Sequence, residues 1–461
     1  PRLPFYFIET GNFTMERDLT VGSVPKQLLS FAAPLFLANL LQSLYSIVDM
    51  AVVGRFVGSA GLAAVSSAAM LSFIIQSVCT GVTTGGAVLI AQYKGARDAR
   101  GQRETTGALF SVSALAALLV TAAGLLAYRP VFTLMNLPAE ALPHALRYMR
   151  VICLGTVFVF GYNAVCSVLR GLGDSKSPLF FVAVATVVNI LLDLLLVGPL
   201  GLGTQGAAIA TAASQGVSFL TAVVVLRRRG LPLVFSPAYF RTAPKTCCAI
   251  LRIGFPAAVQ MAVLNLSYLL VTGMLNGYGV AVAAAAGVGL KVNSFAAMPC
   301  WAVGQAVTTM AGQNLGAGDT GRAAQTARSG LRLALLVTAA SILAVQLFTA
   351  QIIGFFNTDP EVVREGVFYL RVCCSFNSLV YAVMYTFDSF ATGAGDSLFA
   401  MLNAMLHSVV MRLALSWLLS VPLGLGFAGL CWGECLSPLL PFVFGIVYFR
   451  SGRWKRKRLV S

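Results

Sequence analysis

The sequence predicts an all-α polytopic membrane protein whose 12 transmembrane helices form two six-helix lobes related by a pseudo-twofold axis along the membrane normal. Three observations predict it. First, 58% of the 461 residues are apolar and only 10% charged, against about 45–50% and 25% for a soluble domain. Second, the formal net charge of +16 is concentrated between apolar runs on one side of the predicted topology, which excludes disorder and a soluble nucleic-acid binder and reads instead as a topology signal. Third, the chain repeats itself halfway along.

Apolar runs broken by Gly, Pro or charge place spans near 28–53, 62–92, 104–127, 144–169, 178–197 and 205–227, then 249–275, 281–311, 330–353, 366–392, 398–421 and 427–449. Each is long enough to cross a bilayer, which takes about 20 residues. The domains are then an N-terminal cytoplasmic segment (1–27), a first lobe (28–227), a cytoplasmic linker (228–248), a second lobe (249–449) and a basic cytoplasmic tail (450–461). Met15-Glu-Arg-Asp opens a polar stretch before the first span, so Met15 is the candidate start, and no cleavable signal peptide is expected. With both termini cytoplasmic, that side carries 24 of the 32 Lys and Arg, and the opposite side six. The positive-inside rule fixes this orientation.

Gln92-Tyr-Lys-Gly-Ala-Arg-Asp98 answers Gln313-Asn-Leu-Gly-Ala-Gly-Asp319, and Tyr148-Met-Arg-Val151 answers Tyr369-Leu-Arg-Val372. Gly173-Asp-Ser175 answers Gly395-Asp-Ser397, and Pro199-Leu-Gly-Leu-Gly203 answers Pro422-Leu-Gly-Leu-Gly426. Six spans per half is an even number, so both halves enter from the same side, leaving a cleft between two lobes suited to alternating access. Pro34 and Pro256 at matching positions, and Gly81, Gly85 and Gly86 in span two, are hinge or kink candidates. Eight of the ten cysteines lie in apolar runs, Cys247 and Cys248 fall in the linker, and all are expected to be reduced thiols.

Charge inside a bilayer is costly, so each intramembrane ionisable residue is a candidate site. Asp49 and Asp193 each lie five residues before a glycine at the outer end of a span, so they share a depth in the first lobe. Asp49 continues a polar stripe of Asn39, Gln42, Tyr45 and Ser46, spaced to occupy roughly one helix face. Asn189 stands one turn from Asp193, and Thr211 on span six falls at a similar depth. Two carboxylates, an amide and a hydroxyl with no intramembrane base in that lobe suit a small monovalent cation, a proton or both. In the second lobe, Lys291, Arg412 and Glu434 fall in the outer halves of spans eight, eleven and twelve. There Glu434 is expected to neutralise one base as an ion pair, leaving a positive charge to repel cations or contact an anionic group. Asp388, near the inner end of span ten, is expected to reach water by snorkelling.

At Tyr45-Ser-Ile-Val-Asp-Met-Ala-Val-Val-Gly54, Leu169-Arg-Gly-Leu-Gly-Asp174 and Val188-Asn-Ile-Leu-Leu-Asp193, the chain resembles prokaryotic members of the multidrug and toxin extrusion (MATE) family, from about Leu19 to Phe449. The resemblance implies a V-shaped cleft and a secondary active antiporter that exports amphipathic, cationic compounds against an inward proton or sodium gradient. It implies that Asp49 and Asp193, with Asn189 and Thr211, take the coupling ion, and that Gln42, Tyr45 and Asn163 line the substrate chamber. The chain departs from the sodium-coupled branch with acids on spans seven and ten, since span seven has none. The expected protein needs no cofactor beyond its coupling ion, H+ or Na+. It works as a monomer in the bacterial inner (plasma) membrane on a small organic cation, in contact with lipid and without nucleic acid. The alternative is a lipid-linked oligosaccharide flippase of related fold, which would favour more cleft bases than Lys291 and Arg412. An enzyme is not expected, because no GxxxxGK[ST], DDxxD or metal-spaced His set occurs.

Overall fold

The computed structural model describes residues 18–135, 137–228 and 238–457. Met15, the middle of the linker and Arg458 lie outside them. The first lobe is α1 (Val24–Val57), α2 (Ser59–Gly95), α3 (Ala99–Leu134), α4 (Leu142–Gly171), α5 (Lys176–Val197) and α6 (Gly203–Arg228). A short α7 (Ala238–Thr242) leads to α8 (Pro244–Asn276), α9 (Val280–Gly316), α10 (Thr320–Leu347) and the short α11 (Thr349–Phe356). Then come α12 (Pro360–Cys373), α13 (Phe376–Gly393), α14 (Ser397–Met405), a π-helical stretch Leu406–Leu413, α15 (Ala414–Ser420), α16 (Gly426–Leu436) and α17 (Leu439–Ser451). The result is eleven helices able to cross a membrane, or twelve counting α12 and α13 as one span bent by 46°.

Helices that must cross lipid satisfy their backbone internally, and their ends meet water where the sequence supplies caps. The Asp98 carboxylate accepts from the backbone N–H groups of Arg100 and Gly101 at the start of α3. Its repeat counterpart Asp319 accepts from Arg322 N at the start of α10 (2.7 Å). Large exposed side chains such as Leu118, Leu191, Leu220 and Leu336 form an apolar belt rather than a core, as a lipid-facing surface requires.

The lobes meet along α2 and α8. A Cβ at Gly81 would collide with Ala258 and the Gly254 carbonyl, and one at Gly85 with the Ile250 carbonyl. These glycines therefore let two helix backbones approach closely. The structure corrects the reading of Gly81, Gly85 and Gly86 as breaks, because α2 is continuous through all three. At the face that carries both ends of the described chain, the seam becomes a symmetric clasp. Gln313 Nε2 on α9 donates to Gly171 O at the end of α4 (2.9 Å), and Gln92 Nε2 on α2 donates to Gly393 O at the end of α13 (3.3 Å). Leu19 N donates to Gln313 Oε1 (3.2 Å), and Arg322 Nη1 to Gly22 O (2.7 Å). Gly95 and Gly316 lie against the carbonyls of Gln313 and Gln92, where no side chain fits. Farther along α1, Gln42 and Ser46 on its polar stripe are exposed. The lobes thus close at this terminal face.

Helix α8 starts at Pro244, inside the stretch read as linker, so Cys247 and Cys248 are helical rather than in a loop. All ten cysteines are free, and the eight placed in apolar runs are buried.

Candidate functional site

In the first lobe, α1 carries Asp49 and α5 carries Asn189 and Asp193, and these two helices pack side by side. The three side chains are 7%, 1% and 0% exposed. The Asp49 and Asp193 carboxyls interact directly. Two carboxylates hold no hydrogen between them, and the consequence is visible atom by atom. Asp49 Oδ1, both Asp193 oxygens, and Asn189 Oδ1 and Nδ2 have no hydrogen-bond partner among the described residues. Four of these five atoms are acceptors, so the site is rich in groups that a cation or a proton would satisfy.

Thr211 is half-buried on α6. Its depth follows from Gly206, which lies against the backbone of Leu196 on the antiparallel α5. Five residues deeper on α6, Thr211 falls between the levels of Asn189 and Asp193. Its carbonyl accepts from Ser214 Oγ (2.9 Å). Tyr45 stands close to Gln42, Ser46 and Asp49 on the same helix, and Ser46 Oγ donates to Gln42 O (3.1 Å). Asn163 is half-buried on α4 and donates to Val159 O within its own helix (2.8 Å). Its amide makes no hydrogen bond to Gln42 or Tyr45.

Tyr148 on α4 was not picked out as a site residue, yet it stands within electrostatic reach of Asp49, Asp193 and Tyr45. A signal existed: Tyr148 matches Tyr369 in the repeat, and Tyr369 Oη donates to Glu434 Oε2 (3.2 Å). In each lobe the matched tyrosine lies near a buried acid, and in the second lobe it is hydrogen-bonded to it.

The second-lobe cluster does not form as a trio. Arg412 and Glu434 pair at 3.9 Å, both buried, whereas Lys291 is exposed on α9 and takes no part. Lys291 lies seven residues, two turns, before Met298, whose sulfur accepts from Ser43 Oγ on α1 (4.0 Å). It therefore shares the face of α9 that meets α1 and looks toward the cleft. Asp388 departs from expectation as well. It is 2% exposed and does not reach water; Asn403 Nδ2 donates to its Oδ1 (2.8 Å), and its Oδ2 has no partner among the described residues.

Among the described residues, no group of three or more His, Cys, Asp or Glu is placed to hold a metal ion. Two buried carboxyls beside an amide are, chemically, groups that can take up a proton or coordinate a monovalent cation.

The MatE family model matches residues 34–195 and again 256–418, one copy per lobe. The chain is 30% identical over 453 residues to the probable multidrug resistance protein YpnP of Bacillus subtilis, covering 96% of this chain and 99% of that one. It is 34% identical over 346 residues to the probable multidrug resistance protein YoeA of the same organism, covering 74% and 75%. A solved multidrug resistance MATE transporter in an outward-facing conformation superposes with a TM-score of 0.89 at 20% identity, over 97% of this chain and 99% of that one. The twice-matched family model and the full-length relative settle the assignment: the chain belongs to the MatE family and is a multi-pass membrane transporter, not an enzyme.

Proposed function

We propose that this transporter exports amphipathic organic cations in exchange for protons or sodium ions, by alternating access, across a bacterial plasma membrane. The observation that carries the coupling is the acceptor-rich, unpartnered constellation of Asp49, Asn189 and Asp193. A neutral or cation-loaded form of this site is stable in the membrane interior, whereas the empty doubly charged form is costly there. Ion occupancy therefore favours one packing of α1 against α5 over another, which is the differential contact that coupling requires.

The positive-inside count of 24 to six puts the terminal face in the cytoplasm. The Gln92–Gln313 clasp then closes the inner face, and the exposed Gln42 and Ser46 lie in a cleft open to the outside. The two Bacillus relatives' names support drug export as the activity. A polyanionic, lipid-linked cargo is disfavoured, because Arg412 is buried and Lys291 is the base directed at the cleft.

The test is efflux of a fluorescent cationic dye from proteoliposomes under imposed proton or sodium gradients, comparing wild type with Asp193→Asn. Gradient-driven efflux in wild type, lost in the variant, sustains the assignment and names the ion. Equal efflux in both moves the coupling site elsewhere.

A further inference from the structure

Three interruptions of the second lobe converge on one cavity of about 50 Å3. They are the 46° bend between α12 and α13, the π-helical stretch Leu406–Leu413, and the break at Ser437 and Pro438 between α16 and α17. Residues from all three line it: Asn377, His407, Arg412, Glu434 and Pro438. The corresponding first-lobe helices α4, α5 and α6 are unbroken. Irregular backbone at membrane depth is tolerated where it is repaired and lines a cavity. The repairs are present. Gln346 Nε2 donates to Cys374 O (2.7 Å), Asn377 Nδ2 to Cys373 O (2.9 Å), Ser267 Oγ to Ser408 O (2.6 Å) and Ser437 Oγ to Glu434 O (2.8 Å).

The repeat identifies what the cavity corresponds to. Gly173 and Gly395 stand 222 residues apart, whereas Pro199 and Pro422 stand 223 apart. The π-helical stretch lies between these markers, as expected where one residue has been inserted into a helix. With that residue counted, Arg412 answers Asn189 and Glu434 answers Thr211. The cavity is the second lobe's version of the first-lobe cation site, with its charge preference changed.

Arg412 is 3% exposed. Its guanidinium stacks 4.3 Å over the Tyr268 ring, and Nη2 is 3.9 Å from Glu434 Oε1, an ion-pair distance too long for a hydrogen bond. Nε and Nη1 have no acceptor among the described residues. His407 supplies the complement. With the Ser437 hydroxyl donating to Glu434 O (2.8 Å), the tautomer that completes the contact has His407 Nε2, 3.1 Å from Ser437 Oγ, as the donor. Nδ1 is then a lone pair, and it has no partner among the described residues.

We propose that this cavity binds a carboxyl group, its oxygens accepting from Arg412 and, when it arrives as the acid, its O–H donating to His407 Nδ1. A halide offers neither the planar acceptor pair that suits a guanidinium nor any donor for Nδ1. The proposal stands apart from the exporter reading, since binding is measured without transport.

The test titrates the purified full chain with sodium acetate, hexanoate and chloride against isethionate, at constant sodium, ionic strength and pH. The readout is the tryptophan fluorescence present in wild type and absent in Trp301→Phe, because Trp301 also lines the cavity. A saturable acetate response weakened about tenfold or more in Arg412→Gln is expected for loss of a charge-assisted hydrogen bond. Glu434→Gln, which removes the competing carboxylate, should tighten acetate at least threefold, roughly the effect of one ordinary hydrogen bond. Hexanoate tighter than acetate makes the ligand the head of an apolar molecule, and equal affinity makes it a free small acid; both sustain the site. Chloride saturation without carboxylate saturation, no saturation at all, or an unaltered response in Arg412→Gln overturns it. If Arg412→Gln does not fold, acetate binding no tighter in Glu434→Gln than in wild type overturns it instead. Dye efflux that survives a negative result leaves the exporter reading intact.

Discussion

The two lobes share a fold and a repeat, and they have spent their buried charge in opposite ways. In the first, α4, α5 and α6 are continuous helices, and the buried acids Asp49 and Asp193 have no cationic partner among the described residues. In the second, the matching spans are bent, π-helical and broken, and a buried Arg412 faces Glu434. A site that must take up and give back an ion is left incomplete on regular helices. A site that supplies its own counter-charge can be a fixed structural pair, and only its unused donors remain for a ligand. Duplication supplied the framework, and the residues at equivalent depth decide what each lobe does with it.

The largest expected effect breaks the first-lobe side of this comparison. Asp193→Asn should lower gradient-driven dye efflux about tenfold or more, within the range of a 1–3 kcal/mol coupling energy, while a similar amount of folded protein is recovered. Asp49→Asn should do the same, because one carboxylate without the other no longer forms the acceptor-rich site. Undiminished coupling in either variant would show that the unpartnered oxygens are incidental.

The next effect tests whether the second-lobe pair is structural. Arg412→Gln leaves Glu434 buried with only Tyr369 as partner, which should cost about 3–5 kcal/mol. The double replacement Arg412→Met, Glu434→Leu removes both charges and should recover most of that loss, since an apolar pair of similar volume is often no less stable. Thermal unfolding in detergent separates the cases. A double variant as unstable as the single would mean that the cavity's other polar groups depend on the pair.

The fold and the acid pair were legible because they rest on signals that a one-dimensional chain carries well: long apolar runs, unequal distribution of basic residues, and polar residues spaced three or four apart on one helix. The second lobe was read less well because its features depend on interruptions and on side-chain direction. The repeat offset in the quoted motifs grows from 221 to 222 and then to 223 residues, and the second step gains its meaning only from the π-helical stretch. Lys291 appeared to belong with Arg412 by depth alone, and helix rotation places it elsewhere. Asp388 looked able to reach water from its position in the chain, but Asn403 comes from the next span to meet it. Glycines in α2 suggested weakness, whereas contact with α8 makes Gly81 and Gly85 points of close backbone approach in the seam between lobes.

A smaller effect sharpens the symmetry of the clasp. Gln313→Ala removes the bond to Gly171 O and leaves Leu19 N without its acceptor, whereas Gln92→Ala removes the bond to Gly393 O. Each lost bond is worth about 0.5–1.5 kcal/mol. Each variant should therefore loosen the terminal face, read as faster amide hydrogen exchange at the end of α4 for Gln313→Ala and at the end of α13 for Gln92→Ala. Exchange unchanged from wild type in either variant would mean that its bond adds nothing to the closure.

The smallest effect concerns the one position where the repeat differs in backbone demand alone. Arg97 has φ 56°, and its counterpart Gly318 has φ 81°. Both residues turn the chain from the end of one helix into the Asp that caps the next, so both sit in the left-handed region. A side chain there costs about 1–2 kcal/mol relative to glycine, partly offset because glycine has more freedom to lose on folding. Arg97→Gly should stabilise the first lobe by up to about 1 kcal/mol, seen as a small rise in unfolding temperature. Gly318→Arg should lower it by a similar amount. If Arg97→Gly is destabilising, the guanidinium contributes more at the terminal face than the turn costs, and the two loops are equivalent in shape but not in role.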